Sequence, residues 1–339
     1  MNELAPLLLG AALGATMAGG RIGFAVPMRE ALVGRTLAPL LPMGVFLSAG
    51  IALHAIAFGA FGFGGGFVAP AGLATMAGAL LFGAGMQVAN GCGSGSLVAL
   101  GSGSRRMLAV VPTFVAGSFL GTLDAAFWDR LPAFPAVSLG DAIGWAPAAA
   151  LQLLLLYGIW RMFGRPWASA RRAVLAALLL AALAVVCLPL VGHPWGITWG
   201  FALAGAKTAV ASGWLPAGMW AEGWPAEALA APLLADTTVL MDLGLVAGAL
   251  AATVAAGRFG KFERPALLDY AGAALGGLAM GYGARISGGC NVGAFVGGVV
   301  SGSPHGWLWL VACLAGSRAG IAMRPLFRPP GVVVQPARR

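Results

Sequence analysis

Apolar stretches separated by short polar or glycine-rich breaks run along almost the whole chain. Runs close to the roughly 20 residues that cross a bilayer fall at 5–20, 41–63, 67–88, 107–127, 143–162, 172–192, 237–256, 266–284 and 306–323. Left between them are four stretches, 21–36, 90–103, 195–213 and 287–303, too apolar for exposed loops and too short to cross. Such segments are tolerated at membrane depth only where protein or a water-filled cavity surrounds them. They predict re-entrant half-helices. The pattern as a whole predicts an all-α polytopic membrane protein of about nine transmembrane helices and four re-entrant segments.

The second half of the chain repeats the first. Asn90-Gly91-Cys92-Gly93-Ser94-Gly95 answers to Gly288-Gly289-Cys290-Asn291-Val292-Gly293, with the two cysteines 198 residues apart. At the same offset Gly78, Gly83 and Gly85 recur as Gly276, Gly281 and Gly283. Beyond the cysteines one residue is inserted, and Ser102-Gly103-Ser104 matches Ser301-Gly302-Ser303 while Gly117-Ser118 matches Gly316-Ser317. A duplicated apolar half is the pattern of a transporter whose site lies between its repeats. The division expected is a first repeat at 1–127, a connecting helix and loops at 128–171, a second repeat at 172–324 and a disordered cytoplasmic tail at 325–339. Each repeat holds four spans and two re-entrant hairpins. The lone connecting helix at 143–162 makes the second repeat start from the opposite side, so the repeats should be inverted.

Composition agrees with a bilayer. The chain is 59% hydrophobic and 9% charged with mean hydropathy +0.88, where a soluble domain carries about 25% charged residues. The 54 glycines suit close helix packing. A net charge of +9 reflects loop arginines on the cytoplasmic side rather than a nucleic-acid partner. On the topology above, one side receives Arg21, Arg29, Arg35, Arg105, Arg106, Arg161, Arg165, Arg171, Arg172, Arg258, Lys261, Arg264, Arg318, Arg324, Arg328, Arg338 and Arg339, and the other only Arg130, Lys207 and Arg285. Seventeen cations against three predicts a bacterial inner-membrane protein with its N-terminus periplasmic and its C-terminus cytoplasmic. The apolar run at 5–20 is preceded only by Asn2 and Glu3, without the basic segment of a signal peptide, and is expected to be retained. The Cys92 hairpin then enters from the cytoplasm and the Cys290 hairpin from the exterior.

Little in the chain suggests catalysis. Carboxylates are scattered, and His54, His193 and His305 are isolated, so neither a metal constellation nor a nucleophilic triad is expected, and no cofactor. Cys187 and Cys313 lie in apolar runs as small hydrophobes. Cys92 and Cys290 differ. Flanking glycines permit tight turns and expose backbone N–H groups, and the half-helices from about Ser94 and Asn291 would aim positive ends at the bilayer centre. That attracts an anion. A neutral thiol adds a weak donor and a soft, polarisable contact suited to a sulfur-bearing anion. The candidate transport residues are therefore Cys92, Cys290, Gly91, Gly93, Ser94, Gly289, Asn291 and Gly293. Lys207 and Arg285 either form an exterior anion-attracting vestibule, or pair with Asp236 or Asp242, or snorkel to the surface.

Longer motifs carry a resemblance. Gly281-Tyr282-Gly283-Ala284-Arg285, Gly289-Cys290-Asn291-Val292-Gly293-Ala294, Ser301-Gly302-Ser303 and His305-Gly306-Trp307-Leu308-Trp309 resemble the C-terminal signature of the YeeE/YedE family. Pro194-Trp195-Gly196-Ile197-Thr198, Gly205-Ala206-Lys207, Leu234-Ala235-Asp236 and Met241-Asp242 match as well. The resemblance implies uptake of thiosulfate or a related sulfur compound, passed between cysteine thiols at the Cys92 and Cys290 positions. It also implies a small cytoplasmic sulfur-carrier partner. Members similar to the thiosulfate importers carry a further cysteine in the first hairpin. Here that stretch reads Arg21-Ile22-Gly23-Phe24-Ala25, so a shorter relay or another sulfur anion is expected. Two alternatives stand beside import: a membrane sulfurtransferase or thiol oxidoreductase using persulfides on Cys92 and Cys290, and a structural subunit of a sulfur-metabolism membrane complex.

Overall fold

A computed structural model of the chain describes residues 4–163, 171–214, 220, 223–262 and 265–327. The first half forms α1 (Leu4–Gly20), α2 (Ala25–Gly34), α3 (Leu41–Phe61), α4 (Leu73–Ala89), α5 (Gly93–Gly101) and α6 (Met107–Leu123). Short helices α7 (Ala125–Trp128) and α8 (Leu139–Ile143) lead to the connecting helix α9 (Trp145–Phe163). The second half forms α10 (Arg171–Val191), α11 (Thr198–Ala211), α12 (Gly223–Ala230), α13 (Thr237–Ala255) and α14 (Leu267–Ile286). A π-helical turn at Asn291–Gly297 follows, running into α15 (Gly298–Val300), and then α16 (Pro304–Phe327). Among the described residues the strands are two residues each, β1 (Ala71–Gly72) paired antiparallel with β2 (Ala133–Phe134). The protein is all-α and polytopic.

All nine expected spans are helical over most of their length, and each of the four intervening stretches holds a short helix or helical turn. Among the described residues, six helical stretches are long and apolar enough to cross a membrane: Leu4–Gly34, Ala38–Phe61, Leu73–Gly101, Arg171–Val191, Thr237–Ala255 and Pro304–Phe327. Met107–Leu123 is a shorter apolar helix. Helix α14 falls outside that group because it carries Asp269, Arg285 and five glycines on an inward-packed helix. Large apolar side chains such as Leu154, Val254 and Val311 are exposed on the perimeter, where lipid takes the place of a protein neighbour.

The two halves are locked by glycines in reciprocal positions. A β-carbon on Gly78 would lie 2.5 Å from the Gly283 carbonyl oxygen, and one on Gly283 would lie 2.5 Å from that of Gly78. Further along, Gly85 meets the Gly276 carbonyl at 2.6 Å and Gly276 meets that of Gly85 at 2.7 Å. Numbers rise along α4 as they fall along α14, so these equivalent helices cross antiparallel. The same exchange holds elsewhere. Ser118 Oγ donates to the Gly281 carbonyl at 3.4 Å, and its counterpart Ser317 Oγ donates to that of Gly83 at 3.4 Å. Helix α1 packs on α13 as α10 packs on α3, and α6 packs on α14 as α16 packs on α4. Matched helices of the two halves thus make reciprocal contacts, and α4 and α14 run antiparallel where they cross.

At one end, basic side chains close helix C-termini. Arg106 Nε and Nη2 donate to the carbonyls of Ala89 (3.0 Å) and Val88 (2.7 Å), and Nη1 pairs with Asp269 at 2.7 Å. Arg324 Nη1 donates to the Gln87 carbonyl at 2.9 Å, and Arg258 Nη2 to that of Ala18 at 3.3 Å. Cations on terminal carbonyls oppose the negative end of the helix dipole. These three arginines all belong to the side with the larger cation count.

Three boundaries differ from expectation. The span expected at 67–88 becomes helical only at Leu73, because Gly62, Gly64, Gly65 and Gly66 and then Pro70 keep the preceding segment irregular. The one expected at 107–127 stops at Leu123. Residues 325–327 of the expected tail continue the last helix to Phe327. The remainder of that tail, 328–339, with Arg328, Arg338 and Arg339, lies outside the described residues, as do residues 1–3, Arg165 and Arg264.

Candidate functional site

Each cysteine caps a short helix that begins at the junction of the repeats. Cys92 is the N-cap of α5; its Sγ accepts from the Gly95 N–H at 3.3 Å and lies 3.5 Å from Ser94 Oγ. Cys290 is the N-cap of the π-helical turn, its carbonyl accepting from the N–H groups of both Ala294 (2.9 Å) and Phe295 (3.2 Å). A β-carbon on Gly93, next to Cys92, would sit 3.2 Å from Cys290 Sγ. The loops therefore meet, and both half-helices start from the meeting point. Cys92 and Cys290 are 1% and 0% exposed, so the thiols are closed off from solvent in this conformation.

The two loops reach that geometry differently. The first turns through Asn90, in the left-handed region at φ 62°. Asn90 Oδ1 accepts from Arg29 Nη1 at 2.8 Å and Arg324 Nη1 at 3.1 Å. The second turns through Gly288 and Gly289 at φ 80° and 144°, conformations that side chains resist. Its continuation as a wide π-turn rather than an α-helix was not expected. Such turns cluster at functional sites.

A cavity of about 560 Å³ opens behind the Cys290 loop. Gly288, Gly289 and Gly293 form part of its wall, with Arg285, Asp236 and Thr198 around it. The N-terminus of α11 borders it, and the π-turn starts just beyond. Exposed N–H groups at helix starts favour an anion. Arg285 adds a cation, its Nε donating to Thr122 Oγ1 at 2.8 Å. Asp236 opposes it least, because its Oδ1 caps the Thr238 and Val239 N–H groups and its Oδ2 accepts from Trp199 Nε1 at 2.8 Å. Phe67, from the irregular segment before α4, lies over the π-turn. A β-carbon on Gly297 would meet its ring at 2.5 Å, and the ring stacks on His193 with centroids 5.6 Å apart.

The expected residues sort clearly. Cys92, Cys290, Gly91, Gly93, Ser94, Gly289, Asn291 and Gly293 fall in or between the two loops, and Arg285 lines the cavity. Lys207 is not among the cavity's lining residues. Its Nζ donates to the backbone carbonyls of Leu229 and Ala231, a staple between α11 and the end of α12. Neither cation is ion-paired with Asp236 or Asp242 among the described residues. Several polar groups were missed. Gln87 and Ser96 are fully buried near the Cys92 loop with Gln87 Oε1 and Ser96 Oγ unpartnered, as is Asn291 Oδ1. Gln87 Nε2 donates to the Ala25 carbonyl at 3.1 Å, tying the first hairpin to α4. Burial inside apolar runs hid these groups.

Residues 19–319, a segment containing both cysteine loops, match the model of the family described as Sulphur transport. The chain belongs to the sulphur transport family. The resemblance to the YeeE/YedE family is borne out by similar proteins. The Probable transporter YedE of Escherichia coli (strain K12) is 29% identical over 178 residues, 50% of this chain and 43% of that protein. The Probable transporter YedE of Salmonella typhimurium (strain LT2) is 35% identical over 94 residues, 27% of this chain and 23% of that protein. This sulphur transport family member thus spans less than half the length of either relative as matched. Its all-α, multi-pass architecture positions the thiols between the repeats, with the cavity on one side.

Proposed function

We propose that this chain imports a small sulfur-containing anion, thiosulfate above all, across the bacterial inner membrane. The N-terminus faces the periplasm and the C-terminus the cytoplasm. The observation that carries this reading is the meeting of two thiol-capped helix starts directly behind a cavity bearing Arg285. The anion gathers in the vestibule, displaces Phe67, and passes from Cys290 to Cys92 through neutral S–H contacts. A thiolate would repel a dianion, so the thiols act protonated. The buried Gln87, Ser96 and Asn291 side chains supply polar contacts as the loops part. On the cytoplasmic side a small sulfur-carrier protein would take the product onward. No group is transferred in the membrane, so the chain acts as a transporter and not as an enzyme. Carrying a dianion inward against 100 mV, inside negative, costs about 4.6 kcal/mol, and import must be coupled to some gradient or driven by consumption inside.

Uptake of radiolabelled thiosulfate, sulfite, sulfate and selenite by proteoliposomes tests the reading. Saturable uptake of thiosulfate, above sulfate, is the expected result. Rates no higher than in empty liposomes for all four anions would reject it, and a trapped covalent adduct on Cys92 or Cys290 would favour the persulfide enzyme instead. Reporters fused before Met1 and after Arg339 check the orientation: periplasmic and cytoplasmic respectively.

A further inference from the structure

Asp242 is a buried carboxylate that the route above does not use. It lies on α13, 7% exposed, and its Oδ2 has no hydrogen-bond partner. The oxygen points at Gly200 on α11, where a β-carbon would come within 2.8 Å of it. Six residues earlier, Asp236 caps the same helix at the rim of the vestibule. Asp242 therefore sits just under two helical turns below that rim, behind the wall formed by α11. It is also close enough to Cys290 for their charges to interact.

The groups around it offer no compensation. Helix α1, packed along α13, has no titratable side chain between Leu4 and Gly20. From α5 the only titratable neighbour is the N-cap Cys92. From α11 it is Lys207, two turns from Gly200 and held by the Leu229 and Ala231 carbonyls. Asp236 and Cys290 bring only negative charge if they ionise. A carboxyl this buried, with Oδ2 unpartnered and no ion pair among the described residues, is favoured at membrane depth as the neutral acid.

The scaffold does not require a carboxyl there. Gly101 packs against Val246, and its repeat counterpart Val300 packs against Gly50. That register equates Asp242 with Phe46, an apolar core residue. The second repeat has put an acid where the first has a phenyl ring.

We propose that Asp242 is a proton-binding site of the transporter, protonated in the closed conformation and releasing its proton inward as the anion passes Cys290, so that import carries protons. The inference rests on the import reading. The balance is simple: one O–H forms at Asp242 from a vestibule proton and breaks on the cytoplasmic side, with no bond to the substrate. Inward protons cancel charge on an incoming dianion, and the acid beside the Cys290 loop stays neutral until the loop moves.

Two measurements on the full reconstituted chain test it. Infrared spectra at neutral pH should show a protonated-carboxyl band that disappears in Asp242→Asn; an unchanged spectrum overturns the assignment whether or not transport occurs. In proteoliposomes holding a pH dye, uptake of labelled thiosulfate should acidify the lumen. One pH unit of external acidification should raise accumulation about tenfold per coupled proton. Asp242→Asn should lose both effects while keeping downhill uptake, and Asp242→Glu should retain them. Uptake without acidification in the wild type, or acidification surviving in Asp242→Asn, overturns the proposal; if Asp242→Asn does not fold, the wild-type and Asp242→Glu arms still decide. Absence of wild-type uptake for all four anions rejects the import reading and the coupling with it, while the infrared band still decides whether position 242 holds a proton.

Discussion

Gly93 is pressed against Cys290: a β-carbon at position 93 would stand 3.2 Å from the Cys290 sulfur. The neighbour of one thiol is thus the wall of the other. Gly93→Ala should wedge the loops apart or shift Cys290, and thiosulfate uptake should fall several-fold while expression stays normal. Gly19→Ala, where nothing lies within 4 Å, is the control and should leave uptake unchanged. Equal uptake by the two variants would mean that the loops do not form the constriction.

Phe67 lines the cavity beside the Cys290 loop and packs over Gly297 of the π-turn. Replacing it with alanine removes the ring without touching a thiol. An impermeant thiol reagent applied from the exterior should then modify Cys290 several-fold faster. Cys187, buried in α10 away from the cavity, should be unaffected. Faster modification only from the cytoplasmic side would invert the orientation proposed here.

The Arg106–Asp269 pair joins the repeats at the end opposite the cavity, with side chains 6% and 8% exposed. Asp269→Asn strands a buried guanidinium and should cost about 3–5 kcal/mol, softened by the Ala89 and Val88 carbonyls that Arg106 keeps. Thermal unfolding of the purified protein should show a clear drop in midpoint. The double variant Arg106→Met with Asp269→Leu should recover much of the loss. A single variant as stable as the wild type would make the pair dispensable.

Much of this was legible in the chain. The repeated glycines marked the duplication, because a residue without a side chain at matched positions marks where equivalent helices cross, as Gly78 and Gly283 do. The glycine-cysteine loops marked the meeting point for the same reason. What stayed hidden depends on long-range packing. Phe67 was read as part of a span, since an apolar residue before a helix has the same hydropathy as one inside it. Lys207 was read as a vestibule cation, a partner for Asp236 or Asp242, or a snorkelling side chain, yet its ammonium reaches backbone carbonyls of Leu229 and Ala231, acceptors that no side-chain pattern records. Asp242 was weighed only as a partner for a cation. Its isolation became visible once α11 placed Gly200 against it.

The central claim is that Cys92 and Cys290 contact the anion through sulfur, and serine substitution tests it most directly. Cys92→Ser and Cys290→Ser keep a donor of similar size and remove the soft atom. Uptake of labelled thiosulfate by proteoliposomes containing each single variant should be abolished or greatly reduced, with the protein folded and inserted as in the wild type. Full uptake by the double variant Cys92→Ser, Cys290→Ser would contradict the account and reduce both cysteines to packing residues.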